Sequence, residues 1–300
     1  MKKSISMLLA AMMLTGALSG CGGSSSSASS DSQASGNDSG VSGAITVISR
    51  EDGSGTRGAF IELTGVEEKN DAGEKIDNTT ADAEIANKTD VVLTSVAGNE
   101  KAIGYISLGA LNDTVQAVKV DGAEATVDNV KAGAYKLSRP FNIATKGEPT
   151  GVAKDFISFI LSKEGQAVVT DNKYIAVNDA AESFVSDGSS GQIAVGGSSS
   201  VSPVMEKLIE AYKSVNPNAS IDLQTSDSTS GMTGAMDGTF AIGMASRELK
   251  DEEAAQLTGT AIALDGIAVI VNPANTIDEL SMDQIKSIYV GDITDWGDLA

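Results

Sequence analysis

The sequence predicts an α/β protein with chain enough for two lobes, and three observations carry that prediction. From residue 44 onward, apolar runs of strand length alternate with helical periodicity. Three strands run into hydroxyl-rich turns that open a helix: Gly53-Ser54-Gly55-Thr56, the serine turn at 196–202, and the turn at 225–231. The full length of 300 residues can bury two cores.

Composition removes several functions at once. There is no His, which excludes Ser-His-Asp and Cys-His catalysis, histidine metal sites and histidine acid–base chemistry. Lys and Arg number 21 against 41 Asp and Glu, a net charge of −20 that argues against nucleic acid or an anionic membrane face as partner. Any anionic ligand has to be held by local donors against the overall field. Nothing in the sequence resembles a metal cluster or calls for a cofactor.

In chain order, Met1-Lys2-Lys3 and the short apolar run 8–18 predict an export signal rather than a spanning helix. It ends in Leu18-Ser19-Gly20-Cys21, which resembles the bacterial lipobox and implies cleavage before Cys21 and lipidation of that residue. Cys21 is the single cysteine, so disulfides are excluded. Residues 22–44, almost wholly Ser, Gly, Ala, Asp and Asn, predict a flexible tether.

The stretch Ser49-Arg50-Glu51-Asp52-Gly53-Ser54-Gly55-Thr56-Arg57 follows a predicted strand at 45–48 and precedes a helix at 58–63. Taken alone it is a turn with a helix cap. It also gathers free backbone N–H groups, two hydroxyls and the positive end of a helix, and Arg50 adds a planar guanidinium suited to a tetrahedral oxyanion. Residues 82–87 have helical tendency, 91–96, 102–106 and 115–120 predict strands, and 126–132 a short helix. The segment 139–143 is extended around Pro140 and is a candidate crossing between lobes. Residues 151–170 predict a helical pair with Val152, Phe156, Phe159 and Ile160 on one face, broken at Gly165.

A Gly/Ser stretch at 186–192 leads into a strand at 192–195, and Pro203 with Ser202 starts an amphipathic helix. A strand at 221–224 opens the third turn and a helix through Met236. A strand at 240–245 delivers Ser246-Arg247. The apolar run 261–272 is a candidate second crossing, and Ser281-Met282-Asp283-Gln284 has the form of a capping box.

These segments together resemble the phosphate-binding proteins of bacterial phosphate importers. The matching stretches are 195–204, 224–231, 242–247, 263–272, 288–296, 49–60 and the helix at 152–169, which cover nearly all of 45–300. Their order is that of a circular permutation, because in the family the serine loop at 196–202 comes first and the Arg-Glu-Asp-Gly-Ser-Gly-Thr loop follows the Asp-Trp segment. A truncated tandem is the alternative; no segment is duplicated, which favours permutation.

The resemblance implies a two-lobed, type II periplasmic-binding-protein-like fold with a closing hinge, with lobe one at 141–272 and lobe two at 45–140 plus 273–300. It implies phosphate contacts from Ser200 and the backbone at Val201, from Ser228, and from Arg50, Ser54, Gly55 and Thr56, with Asp52 orienting Arg50. Ser246 stands where the family often has an Asp that accepts the proton of hydrogen phosphate; a hydroxyl can also accept, with less secure selectivity against sulfate. Arg247 is either a second cationic ligand or a salt-bridged surface arginine. The implied protein is a monomer on the extracytoplasmic face of the bacterial membrane, anchored at Cys21, that passes inorganic phosphate to an ABC permease. Two other classes stay open: a binding protein for sulfate or molybdate, and a hydrolase using Ser54, which lacks both a base and the wider Gly-x-Ser-x-Gly elbow.

Overall fold

The computed structural model describes residues 41–299. The expected export signal, Cys21 and most of the tether at 22–44 lie outside the described residues. The sheet strands in chain order are β1 (Thr46–Arg50), β2 (Glu84–Ala86), β3 (Ala102–Ser107), β4 (Gln116–Ala117), β5 (Ser138–Thr145), β6 (Gly191–Ser198), β7 (Ala219–Ser226), β8 (Ile242–Ala245) and β9 (Thr258–Val271). Across the sheet they run β7-β6-β8-β5-β9-β3-β1-β2, with β4 paired to the end of β9. At each end the strands are parallel: β7, β6 and β8 on one side, β3, β1 and β2 on the other. The helices are α1 (Gly55–Thr64), α2 (Thr89–Ala97), α3 (Val127–Lys131), α4 (Gly151–Ile160), α5 (Lys163–Asp171), α6 (Ser202–Val215), α7 (Ser228–Asp237), α8 (Asp251–Ala254) and α9 (Met282–Val290).

The middle of the sheet is antiparallel and joins two cores. β9 pairs with β5 from Thr258 opposite Thr145 to Gly266 opposite Ser138, then continues along β3 from Ile267 to Val271. Its side chains change core on the way: Ile262 and Ala263 pack with Phe141, Phe156, Phe159 and Leu208, whereas Ile267–Val271 pack with Val47, Phe60, Tyr105 and Trp296. A strand buried on both faces has to be apolar throughout, as Ile267-Ala268-Val269-Ile270-Val271 is. Phe60 stacks on Tyr105 with ring centroids 4.0 Å apart, and Tyr289 meets Phe60 edge-on at 4.7 Å. Residues 43–45 lie against 294–296: Ile45 N–H donates to Thr294 O at 2.8 Å and Trp296 N–H to Gly43 O at 3.1 Å.

Several local expectations are corrected. Residues 91–96 form no strand but lie in α2, where Val92 and Val96 point inward one turn apart and Val91 stays exposed. The β-branched run favoured a strand, and packing on β3 overrode it. Residues 82–87 contain no helix; Glu84–Ala86 adds to the free edge of β1. The strand expected at 115–120 is two pieces, one on β9 and one, Lys119–Val120, paired with Glu279–Leu280. The break between α4 and α5 falls at Leu161-Ser162, not Gly165. Ser162 caps α5 by accepting from Gly165 N–H at 3.2 Å, and a Cβ at Gly165 would meet Phe159 O at 2.1 Å. The capping box at Ser281 is present in both directions.

Candidate anion-binding site

Four strand ends and four helix starts meet between the two cores. β1 ends in Ser49-Arg50, and Tyr105 fixes that end: its hydroxyl lies 2.9 Å from Ser49 Oγ and accepts from Arg50 N–H at 3.1 Å. The turn after β1 starts α1, capped by Ser54, whose Oγ accepts from Arg57 N–H at 3.3 Å. β6 delivers Ser198, and the serine turn after it leads into α6 with Pro203 in its first turn. β7 leads to Asp227, which caps α7 by accepting from Ser230 N–H at 2.8 Å. β8 ends at Ser246, and α2 begins at Thr89.

The side chains from these turns form one buried hydroxyl cluster. Thr56 Oγ1 lies 2.8 Å from Ser200 Oγ and 3.3 Å from Ser246 Oγ. Ser198 Oγ donates to Ser246 Oγ at 3.0 Å, and Ser228 Oγ lies 3.5 Å from Ser246 Oγ while accepting from Ser246 N–H at 3.1 Å. Thr89 Oγ1 is 3.3 Å from Ser200 Oγ. Arg50, 2% exposed, donates through Nη2 to Ser199 Oγ at 3.1 Å. Hydroxyls both donate and accept, so each can turn from its neighbour to an anion oxygen. The starts of α1, α2, α6 and α7 add positive helix ends to the same place.

The structure therefore brings Arg50, Thr56, Ser200, Ser228 and Ser246 together, with Gly55 so close that a Cβ on it would meet Ser228 Oγ at 2.4 Å. Ser54 is buried and serves as the cap of α1. The Val201 N–H is taken by Ser198 O at 3.0 Å.

One supporting role is corrected, and one of two open readings is chosen. Asp52 does not orient Arg50; it is exposed and pairs with Arg57 at 2.9 Å. Glu51 does so, with bonds from Arg50 Nε at 2.8 Å and Nη2 at 2.7 Å. Arg247 is the salt-bridged arginine of the two readings. It holds Glu253 with both terminal nitrogens, at 2.7 and 2.8 Å, and reaches Thr229 Oγ1 at 3.3 Å. Burial alone would raise the Glu253 carboxyl; the bonds from Arg247 and from Lys250 N–H, with the charges of both residues, outweigh it and hold the group below the usual carboxylate range.

Sequence reasoning missed Thr89, Arg139 and Asp265, and within the serine turn at 196–202 it assigned contacts to Ser200 and Val201 but not to Ser198 or Ser199. Thr89 was hidden by the strand expectation for 91–96, which concealed a helix start. Arg139 is 3% exposed and donates through Nη2 to Thr56 Oγ1 at 3.0 Å; Asp265 stands opposite it in the β5–β9 register. A charge pair in two otherwise uncharged strands is the signal that could have found them. Burial lowers the Arg139 pKa, with the charge of Arg50 acting the same way and that of Asp265 opposing. Burial pushes the Asp265 carboxyl up to about 6 against the pull of Arg139. Among the described residues no group of three His, Cys, Asp or Glu side chains is placed to hold a metal.

A model for the PBP superfamily domain matches residues 27–164 and 183–300, so the chain belongs to that superfamily of binding proteins. Within it the chain belongs to the family of phosphate-binding proteins. It is 50% identical over 301 residues to Phosphate-binding protein PstS 2 of Streptococcus agalactiae serotype V, covering 99% of this chain and 98% of that one. The protein of that name from Streptococcus pneumoniae serotype 4 is 50% identical over 85% of this chain and 88% of its own. A crystal structure of a phosphate ABC transporter's phosphate-binding protein from Streptococcus pneumoniae superposes with a TM-score of 0.69 at 50% identity, covering 86% of this chain and all of that one.

Proposed function

We propose that this chain is an extracytoplasmic, lipid-anchored solute-binding protein that captures inorganic phosphate between its two lobes and delivers it to an ABC permease. One observation carries the reading: turns near residues 54, 200 and 228, distant in sequence, contribute to a single buried cluster of hydroxyls beside the Arg50 guanidinium. The names of the relatives agree with the ligand.

Binding needs no chemistry. An oxyanion seated among these groups receives hydroxyl and N–H donors from both lobes, each charge-assisted bond worth about 1.5–3 kcal/mol net. β5 and β9 run between the two cores and are the natural hinge. The closed form is what the permease recognises. Ser54 is engaged as a helix cap, its Oγ accepting from Arg57 N–H, which supports binding over hydrolysis. Ser246 in place of a carboxylate favours some admission of sulfate or molybdate. Cys21 carries the anchor and the protein works as a monomer. The backbone contacts between 43–45 and 294–296 are compatible with a circularly permuted order.

Titration calorimetry with phosphate, arsenate and sulfate tests the reading. Phosphate binds at micromolar affinity or tighter and sulfate at least about a hundredfold weaker, a gap of roughly 2.7 kcal/mol. Equal affinities for phosphate and sulfate defeat the phosphate assignment.

A further inference from the structure

We propose that Arg139 is a second cationic ligand of the bound anion, acting beside Arg50, and that Asp265 is its charge partner. The inference rests on the phosphate reading above and names a residue that the turns alone do not reveal.

The geometry is that of a guanidinium with donors to spare. Arg139 Nη2 donates to Thr56 Oγ1, the hydroxyl at the centre of the cluster. Arg139 Nε and Nη1 are buried and have no hydrogen-bond partner. Asp265 Oδ2 lies 3.2 Å from Nη1, close enough for charge attraction, yet neither atom makes a hydrogen bond there. Its other oxygen is engaged, accepting from Ser107 Oγ at 3.0 Å. Buried N–H groups left unbonded are costly and rare in folded proteins, so a cation carrying two of them at the edge of a donor cluster is built to meet an acceptor.

Position supports the same role. Arg139 and Asp265 face each other across β5 and β9, the strands that join the two cores. Arg139 also lines a cavity of about 710 Å³ whose wall mixes apolar Leu63, Pro140 and Leu249 with acids such as Glu62, Glu248 and Asp251. It thus stands between that cavity and the hydroxyl cluster. Arg50 is already covered by Glu51, and the cluster itself contains no carboxylate. With Ser246 supplying a hydroxyl, charge recognition falls to the two guanidiniums, each matched by one acid. An anion bridging both would be held by cations from two sides of the cluster.

The role is separable from that of a structural ion pair by sign. If the pair merely braces the strands, removing either member weakens binding alike. If Arg139 contacts the anion and Asp265 tempers its charge, the two removals act in opposite directions. Calorimetry with inorganic phosphate on the full chain, alongside thermal unfolding to confirm folding, compares Arg139→Gln, Arg139→Lys and Asp265→Asn. Arg139→Gln is expected to weaken phosphate binding at least about thirtyfold, and Asp265→Asn to tighten it. Should Asp265→Asn fail to fold, the lysine variant decides: it keeps the charge and stays within about tenfold of wild type. Arg139→Gln within about threefold of wild type, equal losses in Arg139→Gln and Asp265→Asn, or equal losses in Arg139→Gln and Arg139→Lys overturn the proposal. A wild-type chain that binds no phosphate overturns the functional reading instead.

Discussion

Replacing Thr56 by valine removes one oxygen and leaves the shape nearly intact, which makes it the cleanest probe of the cluster. Thr56 is fully buried, and its hydroxyl touches Ser200 Oγ at 2.8 Å, Ser246 Oγ at 3.3 Å and Arg139 Nη2 at 3.0 Å. Ser200 and Ser246 follow strands of the core around Phe141, while Thr56 comes from the helix that packs Phe60 in the other core. The hydroxyl is therefore a direct link between lobes. Its loss deletes one charge-assisted bond to the anion, about 1.5–3 kcal/mol, which is roughly 10- to 150-fold in Kd. Helix α1 should survive, because its cap is Ser54. Thr56→Ser restores the hydroxyl and should stay within about fivefold of wild type, the difference being one methyl contact. Calorimetry with phosphate reads the affinities, and thermal unfolding confirms that the variants are folded. A valine variant that is folded and binds phosphate within twofold of wild type would refute the placement of Thr56 at the anion.

Two other perturbations separate closure from stability. Gly55→Ala puts a methyl group where Ser228 Oγ and Ser246 Oγ lie only 2.4 and 2.9 Å away, so the start of α1 cannot seat against the opposite lobe. The expected result is at least about a tenfold loss of phosphate affinity with little change in thermal stability. Affinity unchanged by the methyl would show that this contact does not limit closure. Asp155 is remote from the cluster: it accepts from Ser186 Oγ, Asp187 N–H, Tyr212 Oη and Asn216 Nδ2 at 2.7 to 3.1 Å. Burial raises its pKa, but these bonds outweigh burial and hold it below its ordinary value. A depressed carboxyl contributes stability above its unfolded pKa and loses it as pH falls through the folded value. Asp155→Asn should cost roughly 2–4 kcal/mol at pH 7 by urea unfolding, and the gap should narrow in acid while phosphate affinity at neutral pH holds. A pH-independent gap would sink the carboxylate explanation.

What was legible in the sequence follows from how local each feature is. The strand, turn and helix starts at 54, 200 and 228 carry their own signals, because caps and turns are built from adjacent residues. Ser281 and Gln284 announce a capping box for the same reason. The misreadings are decided by distant contacts. Val92 and Val96 belong to a helix because β3 supplies a surface for them, and Glu84–Ala86 is a strand because β1 offers an open edge. Arg139 and Asp265 become a pair only through the β5–β9 register. Glu51 and Asp52 are chemically equivalent neighbours, and the path of the chain after β1 decides which one reaches Arg50.

The hydroxyl cluster also explains how a chain of net charge −20 can hold an anion at all. Thr56, Ser200, Ser228 and Ser246 hydrogen-bond one another across the lobe boundary, so these hydroxyls are satisfied without a ligand and the lobes can meet at modest cost. An entering oxyanion replaces neutral hydroxyl–hydroxyl bonds with charge-assisted ones, which are roughly twice as strong. Affinity is then the difference between the two sets, gained only when both lobes contribute. On the proposed function, binding and closure become one event, driven best by a ligand of full charge and tetrahedral geometry. The overall field is overcome because the groups that matter are buried, close and oriented, while most of the 41 acids lie in high-dielectric surroundings. Buried guanidiniums and short-range dipoles outweigh many screened charges.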